Sequence, residues 1–97
     1  MIARIFRVRI RSELRTEFEK RFLEDSVPMV KSHSGLVSVS VGKPTKWVPD
    51  EYVMVSVWEN QVAIESFAGK EWNQPVIPSN MEKFVKGCWV HHYEIFG

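Results

Sequence analysis

The chain has 97 residues, 44% hydrophobic and 26% charged, and its 13 Lys and Arg against 12 Asp and Glu leave a formal charge of +1. That length supplies one modest core rather than two, and so balanced a charge removes the electrostatic argument for a nucleic-acid partner. A lone Cys88 forbids an internal disulfide and no apolar run reaches the length of a signal peptide or membrane span, so a single soluble, cytoplasmic domain over residues 1–97 is expected, with no membrane partner.

Residues 2 to 10 are rich in Ile, Val and Phe, with Arg at positions 4, 7 and 9, and read as a first strand. Ser12 can cap a helix in which Leu14, Phe18 and Phe22 recur every four residues. The pairs Arg15 with Glu19, Glu17 with Arg21 and Lys20 with Glu24 decorate its wet side. Pro28 has no N–H and clashes with the preceding turn, so the helix should kink or end near Ser26, with a last turn through Val30 and a stop at Gly35.

Leu36 to Val41 and Glu51 to Trp58 form two strands, and the Gly42-Lys43-Pro44 and Val48-Pro49-Asp50 breaks make their connection a long hairpin loop. From Val57 to Pro78 the chain then changes register three times. Asn60 opens a helix, Ala63, Ile64 and Phe67 supply its apolar stripe, Gly69 ends it in the left-handed conformation, and a Gly/Pro-rich loop carries Trp72. Ser79 caps one more short turn with Met81, Phe84 and Val85, broken by Gly87, and Cys88 to Phe96 closes the chain as a fourth strand.

The order β-α-β-β-α-β is the split βαβ pattern of a ferredoxin-like α+β fold: a four-stranded antiparallel sheet with both helices on one face. Alternation points Val37, Val39 and Val41 one way with Val53, Val55 and Val57, and turns Leu36, Tyr52, Met54 and Trp58 the other way among Ser38, Ser40 and Ser56. Two helices cover only one of these apolar faces. The economical cover for the second is another copy, a homodimer packed sheet on sheet.

The opening Met1-Ile2-Ala3-Arg4, Pro28, the Gly35-Leu36 turn, the Val57-Trp58 strand end, Ala63-Ile64 with Phe67 and Gly69, and the closing Val90-His91-His92-Tyr93-Glu94 together resemble the antibiotic biosynthesis monooxygenase (ABM) family over nearly the whole chain. The resemblance implies a dimeric α+β barrel, a ligand cavity between sheet and helices, and, in catalytic members, oxygenation of electron-rich phenols or anthrones without metal or flavin. No cofactor is then required. Quinone-forming and heme-degrading relatives carry a tryptophan where this chain has Phe67, and the heme-degrading ones a histidine where it has Val76-Ile77. The resemblance therefore does not extend to heme degradation.

His91 and His92 are adjacent on a strand and face opposite ways, so they cannot share a metal, and Cys88 and His92 stand roughly 13 Å apart at the strand rise. No metal is expected. Either histidine has the pKa of a general base, and either can equally be a satisfied strand residue or a dimer contact. Tyr93 shares a face with His91, and Glu94 with His92.

Arg4, beside Phe6 and Val8 on a central strand, needs either a carboxylate such as Glu94 or Glu59 or a ligand anion. Arg7 and Arg9 face the other way, toward surface or dimer-edge pairs with acidic helix residues. Trp58 and Trp72 either anchor packing or wall a pocket, and the irregular surroundings of Trp72 favour the wall. The expected site is thus Arg4 and His92 handling the substrate oxygen, with Trp58, Phe67, Trp72, His91 and Tyr93 around a small aromatic molecule. The expected function is a cofactor-independent monooxygenase; the alternatives are a non-catalytic small-molecule-binding or stress-response module, and a structural dimerisation domain with a filled core.

Overall fold

The computed structural model describes residues 1–97. Its strands β1 (Ile2–Ile10), β2 (Leu36–Gly42), β3 (Glu51–Trp58) and β4 (Val85–Glu94) form one antiparallel sheet in the order β2-β3-β1-β4. Between the strands lie α1 (Arg15–Arg21), α2 (Val27–Lys31) and α3 (Gln61–Ala68). The expected ferredoxin-like α+β architecture is therefore present. Tyr52, Met54 and Trp58 on β3 and Val8 and Ile10 on β1 join Phe18, Phe22 and Val30 of the helical arm in one buried cluster.

The four-residue apolar spacing in the first helical arm has a structural consequence. The twelve residues from Phe18 to Val30 would carry a regular α-helix about 120° past whole turns, and would swing Val30 off the core. Instead α1 passes through a π-turn at Phe22–Ser26 before resuming as α2, and the Val27 N–H donates to the Phe22 carbonyl five residues back. Absorbing one residue in this way leaves an offset of roughly 20°, and Phe18, Phe22 and Val30 are all buried. The break falls where Pro28 predicts it, yet the arm bulges rather than ending, and runs to Lys31. Ser12 makes no capping bond; it begins a 3₁₀ turn, Ser12–Leu14.

Of the expected helix pairs, Arg21 meets Glu17 at 3.4 Å, and Lys83 joins the same carboxylate at 2.9 Å. Glu19 instead accepts the hydroxyl of buried Tyr52 at 2.7 Å, which ties the helix to β3.

Two strand readings are corrected. β4 begins at Val85, with Gly87 inside it opposite Arg9, and an irregularity between Arg9 and Ile10 lets Ile10 pair with Val85. In β2 the register shifts between Leu36 and Ser38, so Val39 lies opposite Ser56 and Val41 opposite Met54, on the helix-covered side. Directly opposed residues share a face. The valines of β2 therefore do not align with Val53, Val55 and Val57, whose partners across the strand are Gly42, Ser40 and Ser38. The uncovered face is apolar at its centre, with Ile5 and Val55, and polar at its β2 edge. Arg7 and Arg9 stand on that uncovered face, away from the acidic helix residues they were expected to meet.

α3 is delimited as its sequence indicates. Asn60 Oδ1 accepts the Ala63 N–H at 3.0 Å, and Gly69 ends the helix as expected, though at φ 83° and ψ −163° it takes an extended positive-φ conformation open essentially to glycine and not the left-handed helical one. Gly35 also has positive φ, 87°, and a methyl added there would overlap the Cβ of Ala63. The start of β2 thus lies directly against α3. Gly69→Ala, with open space around it, should cost about 1–3 kcal/mol from backbone strain alone. Gly35→Ala adds the overlap and should cost about 2–5 kcal/mol, whereas Asn60→Ala costs about 1 kcal/mol. Urea unfolding of the three variants checks this ranking, and Gly35→Ala as stable as the parent would refute the close approach.

Candidate functional site

Arg4 lies at the middle of the sheet, 3% exposed, and its guanidinium points toward the helices. Nη1 donates to the carbonyl of Trp72 and Nη2 to that of Gln74 at 3.2 Å. The third partner is His92, whose Nε2 stands 2.9 Å from Nη1. A guanidinium can only donate, so Nε2 accepts and His92 is a neutral imidazole with its proton on Nδ1. Burial lowers the Arg4 pKa to about 10, which still leaves it cationic at neutral pH. Burial, then the Arg4 charge, then His91 push the His92 pKa down.

Neither Glu94 nor Glu59 pairs with Arg4; the ion pairs of the structure lie on the helical surface instead. Glu94 is opposite Ile2 at the sheet end, two residues along from His92, which faces Arg4. The buried cation is therefore held by two carbonyl dipoles and a neutral ring, with no formal negative charge to compensate it.

Phe67 lies under the guanidinium, 5.7 Å from ring centre to Cζ, and stacks on Trp58 at 5.2 Å with the edge of His33 against it at 4.9 Å. His33 Nδ1 lies 2.9 Å from the Met29 carbonyl and donates to it, which fixes that ring. Trp58 is fully buried, and its indole N–H donates to Ser56 Oγ at 2.9 Å. Ser56 in turn donates to the Arg4 carbonyl at 3.5 Å. Trp58 thus supports the site from behind.

A narrow cavity of about 50 Å³ runs between sheet and helices with Arg4 and Phe67 in its lining. Phe6 and Met54 line it from the sheet, Phe22 and Met29 from the helical arm, and Val76 and Ile77 from the irregular segment after α3. That segment, residues 70–78, crosses over the Arg4 head group, and the guanidinium is bonded to two of its carbonyls.

Of the residues expected around a ligand, the structure brings Arg4, His92, Phe67, Trp58 and Trp72 together and leaves two out. His91 and Tyr93 are exposed on the uncovered sheet face, opposite Ile5 and Ala3, and do not reach the cavity. Strand alternation sends them there once His92 turns inward. Trp72 is half-buried with its ring edge-on to His92 at 4.8 Å; it anchors the segment through its carbonyl and ring and does not line the cavity. Ser26, Met29 and His33 were not anticipated. The four-residue step from Phe18 through Phe22 already points at Ser26, while His33 has no sequence signal beyond its place ahead of Gly35. No group of three His, Cys, Asp or Glu is close enough to hold one metal ion.

These features define a ferredoxin-like α+β protein with an internal apolar cavity capped by one buried cation. The antibiotic biosynthesis monooxygenase family model matches residues 1–71, and the chain belongs to that family. Among solved structures it is similar to a variant of MhuD with two manganese protoporphyrin IX molecules bound per active site, at 20% identity over 98% of this chain and 94% of that one, with a TM-score of 0.73. It is also similar to PA3566 from Pseudomonas aeruginosa, at 10% identity over 99% and 94% of the two chains and a TM-score of 0.75. A third structure, of an antibiotic biosynthesis monooxygenase, shares 13% identity over the whole of both chains with a TM-score of 0.77. At these identities the likeness is one of fold. No curated protein matches the sequence.

The lowered His92 pKa predicts a pH dependence. As pH falls below the ordinary imidazole value near 6.5, the unfolded chain takes up a proton that folded His92 resists, so stability drops from that point down to the folded pKa. His92→Gln should flatten this part of the profile in urea unfolding between about pH 7.5 and pH 5. An unchanged slope would show that His92 is not held neutral.

Proposed function

We propose that residues 1–97 form one ABM-like domain acting as a cofactor-independent monooxygenase, which oxidises a small aromatic or polyketide-like substrate with O₂ while Arg4 holds it as an anion. The observation that carries this reading is the buried Arg4 charge, met only by neutral acceptors and opening on an apolar cavity. An anionic oxygen is the partner this charge lacks. His92, kept neutral, is placed to accept a proton at Nε2 once the substrate takes over the guanidinium. An electron-rich phenolate or enolate can itself reduce O₂, so the protein need only bind it, exclude water and stabilise the anion. For a methylene between aromatic rings, one oxygen atom ends in the new carbonyl and the other leaves with the two methylene hydrogens as water; no outside reductant is consumed.

A cavity of about 50 Å³ holds only a few water molecules. A bicyclic or larger substrate must therefore displace segment 70–78, and its anion can replace the two carbonyls that Arg4 now bonds. No histidine lines the cavity, and Val76 and Ile77 stand in that segment, so the proposal does not extend to the porphyrin that MhuD binds. The second reading is a binding module without turnover, which Phe67 favours because its ring offers no N–H to a substrate oxygen.

Oxygen uptake with phenolic and anthrone substrates separates the two. The parent should turn over, and Arg4→Met should lower kcat/KM by about 10–100-fold, the worth of a charge-assisted hydrogen bond. Ligand-induced stabilisation with no oxygen uptake would leave only the binding module.

The uncovered sheet face fits a second copy. Val53, Val55 and Val57 with Ile5 form an apolar strip flanked by exposed Trp89 and Tyr93, and a two-fold dimer would cover it. His91 then belongs to the interface. No helix is long and apolar enough to cross a membrane, and the lone, half-buried Cys88 fits the reducing cytoplasm. Val55→Lys should convert the dimer to monomer in sedimentation at micromolar concentration; a parent that sediments as a monomer would remove the interface.

A further inference from the structure

The cavity is apolar except at three side chains able to donate an N–H or O–H: Arg4, Ser26 and Ser56. Two of them are engaged, Arg4 with its carbonyls and His92, and Ser56 with the Trp58 indole and the Arg4 carbonyl. The hydroxyl of Ser26 makes no hydrogen bond within the protein; the residue is half-buried in the cavity lining, and its oxygen is not sealed off, since no buried polar side-chain atom in the molecule lacks a partner. A helical serine either bonds back to the carbonyl four residues earlier or points its hydroxyl away from the helix. Here that carbonyl belongs to Phe22, which receives the Val27 N–H through the π-turn, and Ser26 makes no bond back to it.

The π-turn also decides where Ser26 points. By taking up one residue it keeps positions 18, 22, 26 and 30 on one side of the arm, and its last residue, Ser26, lines the cavity together with Phe18, Phe22 and Val30. Turns of this kind recur at functional sites because they re-aim single side chains. Alanine would serve the packing of this wall equally well, whereas the hydroxyl gives the lining a polar group not already engaged, as those of Arg4 and Ser56 are.

We infer that Ser26 is a specificity-determining residue, and that the ligand is a flat, largely apolar molecule with two oxygens, one anionic at Arg4 and a neutral hydroxyl or carbonyl at Ser26. This deepens the reading of the cavity as a site for an oxygen-bearing aromatic, and rests on it. A serine hydroxyl both donates and accepts, so it takes either group. One anchor would let a flat ligand flip in an apolar slot; two anchors fix which ring carbon is presented for oxidation.

Binding of 1-naphthol and of a set of dihydroxynaphthalene isomers, followed by tryptophan fluorescence, tests this. At least one isomer should bind the parent about tenfold more tightly than 1-naphthol, the worth of one hydrogen bond. Ser26→Ala should abolish that preference and leave 1-naphthol within about twofold of its parent affinity, and Ser26→Thr should restore the preference. If Ser26→Ala does not fold, nuclear Overhauser contacts between the preferred isomer and the Ser26 methylene in the parent decide the same point. Equal binding of every isomer, a preference that survives Ser26→Ala, or absent contacts to Ser26 overturns the inference while the monooxygenase reading stands. Binding of no naphthol at all overturns both, and the expected preference without oxygen uptake sinks only the oxygenase chemistry.

Discussion

The site depends on one guanidinium placed where a soluble protein rarely leaves a charge without a counter-charge. Arg4 lies on a central strand between β3 and β4, and three neutral acceptors share its N–H groups. Each consequence follows from that bonding. The acceptor role demanded of His92 sets its tautomer, the two carbonyls bring segment 70–78 across the head group, and Phe67 presents its ring face to the charge. A carboxylate at this position would have closed the site electrostatically. Carbonyls stabilise the cation enough to keep it buried, but a ligand anion can replace them.

The helical arm adds the second constraint. Its apolar residues recur every four positions, a period longer than the α-helix supplies, and the chain resolves the mismatch with a single π-turn ahead of Pro28. Pro28 cannot donate to a carbonyl four residues back, so the missing bond and the extra residue fall in the same turn. One irregularity thus reconciles the arm with the sheet and turns a hydroxyl into an otherwise apolar wall. Specificity and packing come from the same backbone feature.

The two faces of the sheet divide the work. The covered face carries Arg4, His92, Ser56 and the buried aromatics, and the open one carries Ile5, the β3 valines, His91 and Tyr93. Because strand residues alternate, adjacent His91 and His92 serve different surfaces. The open face and the cavity are therefore separated by the sheet itself.

Much of this was legible in the chain. Alternation in residues 2–10, the Asn60 and Gly69 limits of α3, and the order of strands and helices follow from local chemistry, which acts within a few residues and leaves its mark in the sequence. That Arg4 would need a partner was equally plain, since a charge among apolar strand positions cannot be left alone. Its choice of partner was not legible, because Trp72, Gln74 and His92 lie 68 or more residues away and meet it only after the sheet closes. The one-residue shift in β2, the inward turn of His92 over His91, and the π-turn that exposes Ser26 to the cavity are settled by how whole elements fit against each other. Spacing along the chain carries local geometry; register between distant strands is decided only when their faces meet.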